Sequence, residues 1–208
     1  MSERPFRIGV LASGGGTNLQ AILDRFGGDG LVEVAAVGSD RADARALQRA
    51  AEAGVPTATF PRDEHPSRAG RDAAIAEWLA GHGVELVVLA GYMQLLSPGF
   101  LERFPNGVIN VHPALLPSFP GLDAIGQAFR HGVRVSGVTV HFVDAGVDTG
   151  PIILQEAIEL AYTREIEEFE EQIHAVEHRL LPRAIELIAA GAVRIDARNP
   201  RLVRIELE

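Results

Sequence analysis

Phe6–Phe26 reads FRIGVLASGGGTNLQAILDRF, and the order of its parts decides the fold class. A short apolar run with β-branched residues, Phe6–Ala12, ends in Ser13-Gly14-Gly15-Gly16-Thr17-Asn18. Leu19, Ile22, Leu23 and Phe26 then recur at helical spacing until Gly27-Gly28 stops the pattern. Strand, glycine turn and helix in this order open an α/β unit. Three glycines let the backbone turn tightly, and the free amides at a helix start attract anions. Two commoner nucleotide signatures are missing. Leu19 occupies the place of the third glycine of a dinucleotide fingerprint, and no Gly-Lys-Ser/Thr follows. A phosphate-binding turn is a better reading than a plain strand-to-helix connection.

The alternation continues outward from this unit. Leu31–Gly38 reads as a strand, Asp43–Ala53 as a helix, Val55–Phe60 as a strand and Ser67–His82 as an amphipathic helix. Glu85–Ala90, with its Leu-Val-Val-Leu centre, suits a strand buried on both faces. The expected class is α/β: a Rossmann-like, open, mostly parallel sheet with helices on both faces. The second half adds antiparallel strands and a long helix. Gly107–Val111 is a strand followed by a proline-punctuated loop, Pro113 to Gly121, and Val133–Val143 and Pro151–Leu160 are further strands. A helix runs from near Glu165 to Ala190, with Ile166, Phe169, Ile173, Val176 and Leu180 on one stripe and a kink expected at Pro182. Val193–Ile195 and Leu202–Ile205 flank Asn199-Pro200 as a closing hairpin. With no repeat and no linker, residues 1–208 read as a single domain.

Bulk properties narrow the function classes. The 208 residues are 47% hydrophobic and 23% charged, ordinary for a globular protein with a sizeable core. No apolar run approaches the roughly 20 residues of a membrane span, and the start lacks a signal-peptide core. The absence of cysteine excludes disulfides and thiolate metal sites and agrees with a cytoplasmic location. A net charge of −9 disfavours nucleic acid and anionic membrane as partners. All 19 basic residues are arginine, a composition bias that removes lysine Schiff-base chemistry.

Three further motifs carry chemistry. Asn110-Val111-His112-Pro113 ends a strand, so Asn110 and His112 share a face with Cα atoms roughly 6–7 Å apart. At the C-terminal end of a parallel strand they face the ligand crevice, where an amide and an imidazole can bind an oxyanion and move a proton. Gly146-Val147-Asp148-Thr149-Gly150-Pro151 is a turn; if it folds towards His112, Asp148 would raise the histidine's pKa. His174-Ala-Val-Glu177-His178 formally matches the zinc-peptidase pattern H-x-x-E-H, but only about 30 residues follow it, too few for the distant third ligand of that class. His65, His82, His131 and His141 lack local partners.

IGVLASGGGTNL (8–19), VLAGYMQLLSP (88–98), NVHPALLPSFPG (110–121), VTVHFV (138–143) and VDTGPIILQ (147–155) together resemble the glycinamide ribonucleotide formyltransferase family over nearly the whole chain. The resemblance implies formyl transfer from 10-formyltetrahydrofolate to the amine of 5′-phosphoribosylglycinamide, a step of de novo purine synthesis in one-carbon metabolism. It implies Asn110, His112 and Asp148 as the catalytic trio, with protonated His112 and Asn110 stabilising the oxyanion. Asp148 would keep His112 charged and pass a proton through an ordered water. It assigns Gly16, Thr17 and Asn18 to the 5′-phosphate and Glu177 to the ribose, with His174, Ala175 and Val176 beside it. The folate side would take Arg68, Met93, Gln94, Leu95, Leu96, Asn110, Asp144, Ala145, Gly146, Val147 and Asp148. The N-terminal half would then bind the phosphorylated substrate, and the C-terminal half would bind folate and carry catalysis. Small molecules are the expected partners, a homodimer is compatible with the chain, and no metal is expected.

Some positions depart from that pattern. Gln94 stands where many members have arginine, Asp123 and Ile125 where histidines are frequent, and Thr163-Arg164 where Gly-Asp is common. Two other activities share features of the chain. A 10-formyltetrahydrofolate hydrolase usually carries an extra N-terminal domain, whereas here the first strand begins at about Phe6. A methionyl-tRNA formyltransferase usually has Arg-Trp-Arg-Gly where Ser118-Phe119-Pro120-Gly121 stands, and the acidic charge disfavours tRNA. A non-catalytic nucleotide-binding module is the alternative outside enzymes.

Overall fold

The computed structural model describes residues 4–28, 30–160 and 165–206. Seven strands form one sheet: β1 (Phe6–Leu11), β2 (Val32–Ser39), β3 (Thr57–Thr59), β4 (Leu86–Leu89), β5 (Val108–His112), β6 (Val135–Phe142) and β7 (Ile152–Glu159). Their order is β3-β2-β1-β4-β5-β6-β7. The β1/β2, β1/β4 and β2/β3 pairs are parallel and the β6/β7 pair is antiparallel. This is the expected open, mostly parallel α/β sheet with helices on both faces. Packing divides the chain into two compact units, Met1–Ile109 and Asn110–Glu208.

The first unit contains α1 (Thr17–Phe26), α2 (Arg45–Glu52), α3 (Arg68–Gly81) and α4 (Pro98–Arg103). All four residues of β4, Leu86-Val87-Val88-Leu89, are buried, as a strand covered on both faces requires. Ile8, Val10 and Leu11 of β1, Leu19 and Ile22 of α1, and Ile75 and Leu79 of α3 have no exposed surface. Ser67 caps α3 by accepting the Gly70 amide at 3.1 Å. β3 is shorter than Val55–Phe60 suggests, because prolines at 56 and 61 bracket it and neither can donate to a ladder.

The second unit contains α5 (Ala124–His131), α6 (Ile166–Ala189), β8 (Val193–Ile195) and β9 (Val203–Ile205). Phe169, Ile173, Val176, Leu180, Ala184 and Leu187 form the buried stripe of α6, which packs on β6, β7 and α5. The helix continues through buried Pro182 for another seven residues to Ala189. β8 and β9 pair antiparallel, as the closing hairpin was expected to. Neither α4 nor α5 is anticipated by the hydrophobic pattern. Thr163 and Arg164 lie outside the described residues.

Candidate active site

Strand alternation brings Asn110 and His112 onto one face of β5, with Val111 buried on the other. Asp148 arrives from the turn between β6 and β7. Its Oδ2 lies 3.4 Å from Nδ1 of His112, and its Oδ1 accepts from Nδ2 of Asn110 at 3.4 Å. The Gly121 amide donates to Oδ2 at 2.7 Å. All of these groups belong to the second unit. The sequence alone could not bring the turn to His112; the fold does.

Local chemistry shapes that turn. Asp144 Oδ1 accepts from the Gly146 amide at 3.0 Å and from the Thr149 hydroxyl at 2.6 Å, closing the loop on itself. Asp148 has φ +52°, a left-handed conformation that aspartate tolerates better than most residues. Gly150 must be glycine, since a Cβ there would lie 1.7 Å from the Phe142 carbonyl. Arg201, from the segment joining β8 and β9, donates to the Thr149 carbonyl and braces the turn from outside.

A fourth polar side chain completes the cluster. His141 is buried on β6, with Nε2 3.3 Å from Asn110 Nδ2 and 3.6 Å from Asp148 Oδ1. Its Nδ1 lies 2.8 Å from the Phe142 carbonyl and donates to it. Sequence reasoning passed over His141 because its partners are 31 residues before it and 7 after. The available signal was parity: Thr139 and His141 share a strand face, and a buried polar pair on one face needs partners. Thr139 has them, donating to the Ala114 carbonyl at 2.7 Å and accepting the Leu116 amide at 3.2 Å.

Electrostatics correct one expectation. Burial pushes the His112 pKa down, outweighing the Asp148 charge and the Phe119 carbonyl, which both push it up. The neighbouring His141 lowers it further. Resting His112 is therefore a neutral imidazole at pH 7, not the imidazolium expected from its aspartate alone. Its Nε2 donates to the Phe119 carbonyl at 2.8 Å. For Asp148, burial acts upward, but the hydrogen bonds from His141 and the Gly121 amide and the two imidazoles hold its pKa below 3.8. An ionised Asp148 therefore lies against a neutral His112.

The glycine turn, in the first unit, is built to present amides. Gly16 has φ +70° and ψ 30° and caps α1, and a Cβ on it would come within 2.7 Å of Ala46 on α2. Gly14 and Gly15 have open space, so only Gly16 is sterically required. The three glycine carbonyls are all occupied by hydrogen bonds within the fold. Gly14 accepts from the Ala46 amide at 3.1 Å, Gly15 from Arg49 Nε at 2.9 Å and Gly16 from the Gln20 amide at 2.9 Å. Arg49, which the sequence reading did not single out, also donates to the Gln20 side chain at 2.8 Å.

The remaining expected residues are placed as follows. Arg68 is exposed in the first turn of α3, and Met93 and Leu95 are exposed on the loop after β4, with Leu96 half-buried. Gln94 does not extend outwards: it bridges Arg71 and Asp40. Ala145, Gly146 and Val147 are exposed on their turn, while Asp144 spends its Oδ1 on turn closure. On α6, Glu177 is buried with His174 Nε2 4.0 Å away, Ala175 is exposed and the Val176 side chain is in the core. His178 stacks on His174 at 6.3 Å, and burial, then the His174 charge, lowers its pKa. Among the described residues no group of three or more His, Asp or Glu side chains is arranged to hold a metal ion. Asp123 begins α5 and pairs with Arg130 at 2.8 Å.

The formyl transferase family matches residues 6–185, which include the whole polar cluster and the glycine turn. The chain belongs to the formyl transferase family. Within that family it is 44% identical to a phosphoribosylglycinamide formyltransferase of Mycobacterium tuberculosis (strain ATCC 25618 / H37Rv) over 200 residues, covering 96% of this chain and 93% of the relative. It is 42% identical to the enzyme of the same name from Bacillus subtilis (strain 168) over 181 residues, covering 86% and 93%. Glycinamide ribonucleotide transformylase 1 from Symbiobacterium toebii superposes with a TM-score of 0.93 at 51% identity, covering 99% of this chain and 96% of that one. The formyl transferase match ends at residue 185, so the β8–β9 hairpin and Arg201 lie beyond it.

Proposed function

We propose that Asn110, His112 and Asp148 are the catalytic group of a phosphoribosylglycinamide formyltransferase, and that the chain works as one formyltransferase domain. The enzyme moves the formyl group of 10-formyltetrahydrofolate onto the amine of 5′-phosphoribosylglycinamide, giving the N-formyl product and tetrahydrofolate in purine synthesis. The observation that carries the residue roles is Asp148 Oδ2 held 3.4 Å from Nδ1 of the buried His112, in surroundings that lower the pKa of both groups and so favour an ionised carboxylate and a neutral imidazole.

The chemistry follows from that state. The substrate amine attacks the formyl carbon, and a tetrahedral centre forms with negative oxygen and positive nitrogen. Asn110 Nδ2 turns from Asp148 to the oxygen, exchanging a 3.4 Å bond near the outer limit for a charge-assisted one. Such a donor is worth about 3 kcal/mol in the transition state. With Nε2–H given to the Phe119 carbonyl, Nδ1 is the basic nitrogen of neutral His112, and it takes the proton that the substrate nitrogen sheds, becoming imidazolium against Asp148. The same proton then goes to N10 of the folate as its bond to the formyl carbon breaks. No oxidation state changes, so the transfer calls for no redox cofactor.

Gly16, Thr17 and Asn18 receive the 5′-phosphate in this reading, supported by the left-handed Gly16 at the start of α1 and by glycine carbonyls already occupied within the fold. Glu177 takes the ribose, with His174 and Ala175 alongside. Arg68, Met93, Leu95 and Leu96 of the first unit are assigned to the folate, and so, in the second unit, are Ala145 to Val147. A cytoplasmic enzyme, acting as a monomer or homodimer, completes the proposal.

Deformylation of 10-formyltetrahydrofolate followed with and without the ribonucleotide amine tests the function. Turnover that requires the amine is expected. Equal turnover without it is hydrolase behaviour, and none in either case is a binding module; both would overturn the reading.

A further inference from the structure

The loop Gly91–Ser97 forms no ladder or helix of its own, yet it carries Met93 and Leu95 with 58% and 55% of their surface exposed. Backbone bonds hold its two ends, from the Ser13 amide to the Gly91 carbonyl and from the Phe100 amide to the Ser97 carbonyl, both at 3.0 Å, and side chains hold what lies between. The Met93 amide donates to Ser13 Oγ at 2.9 Å, and the Ser97 amide donates to Asp72 Oδ2 at 2.6 Å. Between these anchors Gln94 turns inward. Its Oε1 accepts from Arg71 Nη1 at 3.2 Å, and its Nε2 donates to Asp40 Oδ2 at 2.9 Å. Arg71 is 2% exposed, and its Nε and Nη2 both go to Asp72 Oδ1, at 3.2 and 2.9 Å.

We infer that Arg71, Gln94 and Asp40 form a part-buried strut that fixes this loop in its donor-binding shape, making Arg71 and Gln94 positioning residues for the folate. The inference rests on the proposed formyl donor. A buried ion pair such as Arg71–Asp72 is a poor way to gain stability, because desolvation offsets most of its attraction. Here the side-chain hydrogen bonds that leave the pair reach the loop: Arg71 through Gln94, Asp72 through the Ser97 amide. An amide is also the side chain the geometry demands at 94. It accepts from a cation at one end and donates to a carboxylate at the other; glutamate would oppose Asp40, and an aliphatic chain would bond neither. Asp40 Oδ1 is buried without a hydrogen bond, so the Oδ2–Gln94 bond is what ties that carboxylate to the loop. Two exposed apolar side chains on a pinned loop are a prepared surface for a flat, partly apolar ligand. Pinning lowers the ordering cost of binding it.

The test is a double-mutant cycle on Gln94→Met and Asp40→Ala, with Asp40→Asn as the conservative control, read as KM for each substrate, kcat and melting temperature. Gln94→Met is expected to raise the KM for 10-formyltetrahydrofolate by about tenfold, the loss of two modest hydrogen bonds' worth of preorganisation. kcat should stay within about threefold and the KM for the amine substrate should not move. The double variant should be no worse than the worse single, and Asp40→Asn, which can still accept from Gln94, should stay near wild type. An unchanged donor KM in Gln94→Met, equal rises in both KM values, or effects that multiply in the double variant would each overturn the strut. A wild-type protein that does not consume the donor at all would instead overturn the proposed function.

Discussion

Asp148→Asn is the perturbation that separates charge from shape at the centre of the cluster. Asparagine is isosteric and tolerates the left-handed φ of +52° as well as aspartate does, so the 144–150 turn should keep its form. Its side-chain oxygen can still accept the Gly121 amide, now 2.7 Å from Oδ2. What disappears is the negative charge 3.4 Å from His112 Nδ1. In the resting protein His112 is neutral, so the loss costs the ground state little. As the imidazolium forms, a charge pair at this distance is worth about 5 kcal/mol at the effective dielectric of a partly buried site. That is on the order of a few thousandfold in kcat. Steady-state deformylation with both substrates saturating should show this fall, with KM for each substrate within about threefold and the melting temperature close to wild type. A variant retaining kcat within about tenfold would refute the reasoning, because Asp148 would then not stabilise a charge that forms during turnover.

The pH profile has a definite sign. The folded-state pKa of His112 lies below 6.5, so the active neutral form is full above that value and is lost as pH falls through the lowered pKa. Stability moves the same way: the unfolded chain binds more protons below 6.5 for His112, and below 3.8 for Asp148, so acid destabilises the protein in both windows. A kcat profile rising towards acid would contradict this. His141→Asn should lower kcat by about tenfold and move the acid limb of the profile upward, since the neighbouring ring that lowers the His112 pKa is gone while Asp148 remains; an unmoved limb would remove His141 from the electrostatics. Arg49→Ala should raise the KM for the phosphorylated amine by about tenfold while leaving the donor KM alone, because it frees the Gly15 carbonyl to turn towards the anion. Equal changes in both KM values would mean that Arg49 serves the fold instead.

What could be read from residues alone was local. The glycine turn, the parallel unit around it and the shared face of Asn110 and His112 all follow from periods of two and 3.6 within a few residues. α5 left weak traces, with Arg130 and His131 in its last turn and a left-handed Gly132 at its end, but Gly126 inside it broke the apolar pattern. α4 spans only six residues and opens on Pro98, too short for periodicity to register. The cluster was half legible, because the approach of Asp148 and His141 depends on where β6 and its turn fall, not on any neighbour in the chain. The charge state of His112 was misjudged for a related reason. A neighbouring aspartate is visible in a motif, whereas burial of the ring is a property of the whole second unit. Gln94 seemed to be a missing charge; in the fold it is a bridge to a buried one.

The most direct measurement follows the formyl carbon. Donor labelled with carbon-13 in its formyl group is incubated with the protein and 5′-phosphoribosylglycinamide, and the products are resolved by NMR. The account predicts that the label appears as the amide carbon of the N-formyl ribonucleotide, matched one for one by tetrahydrofolate. Label released as free formate, or label left on the folate, would contradict it.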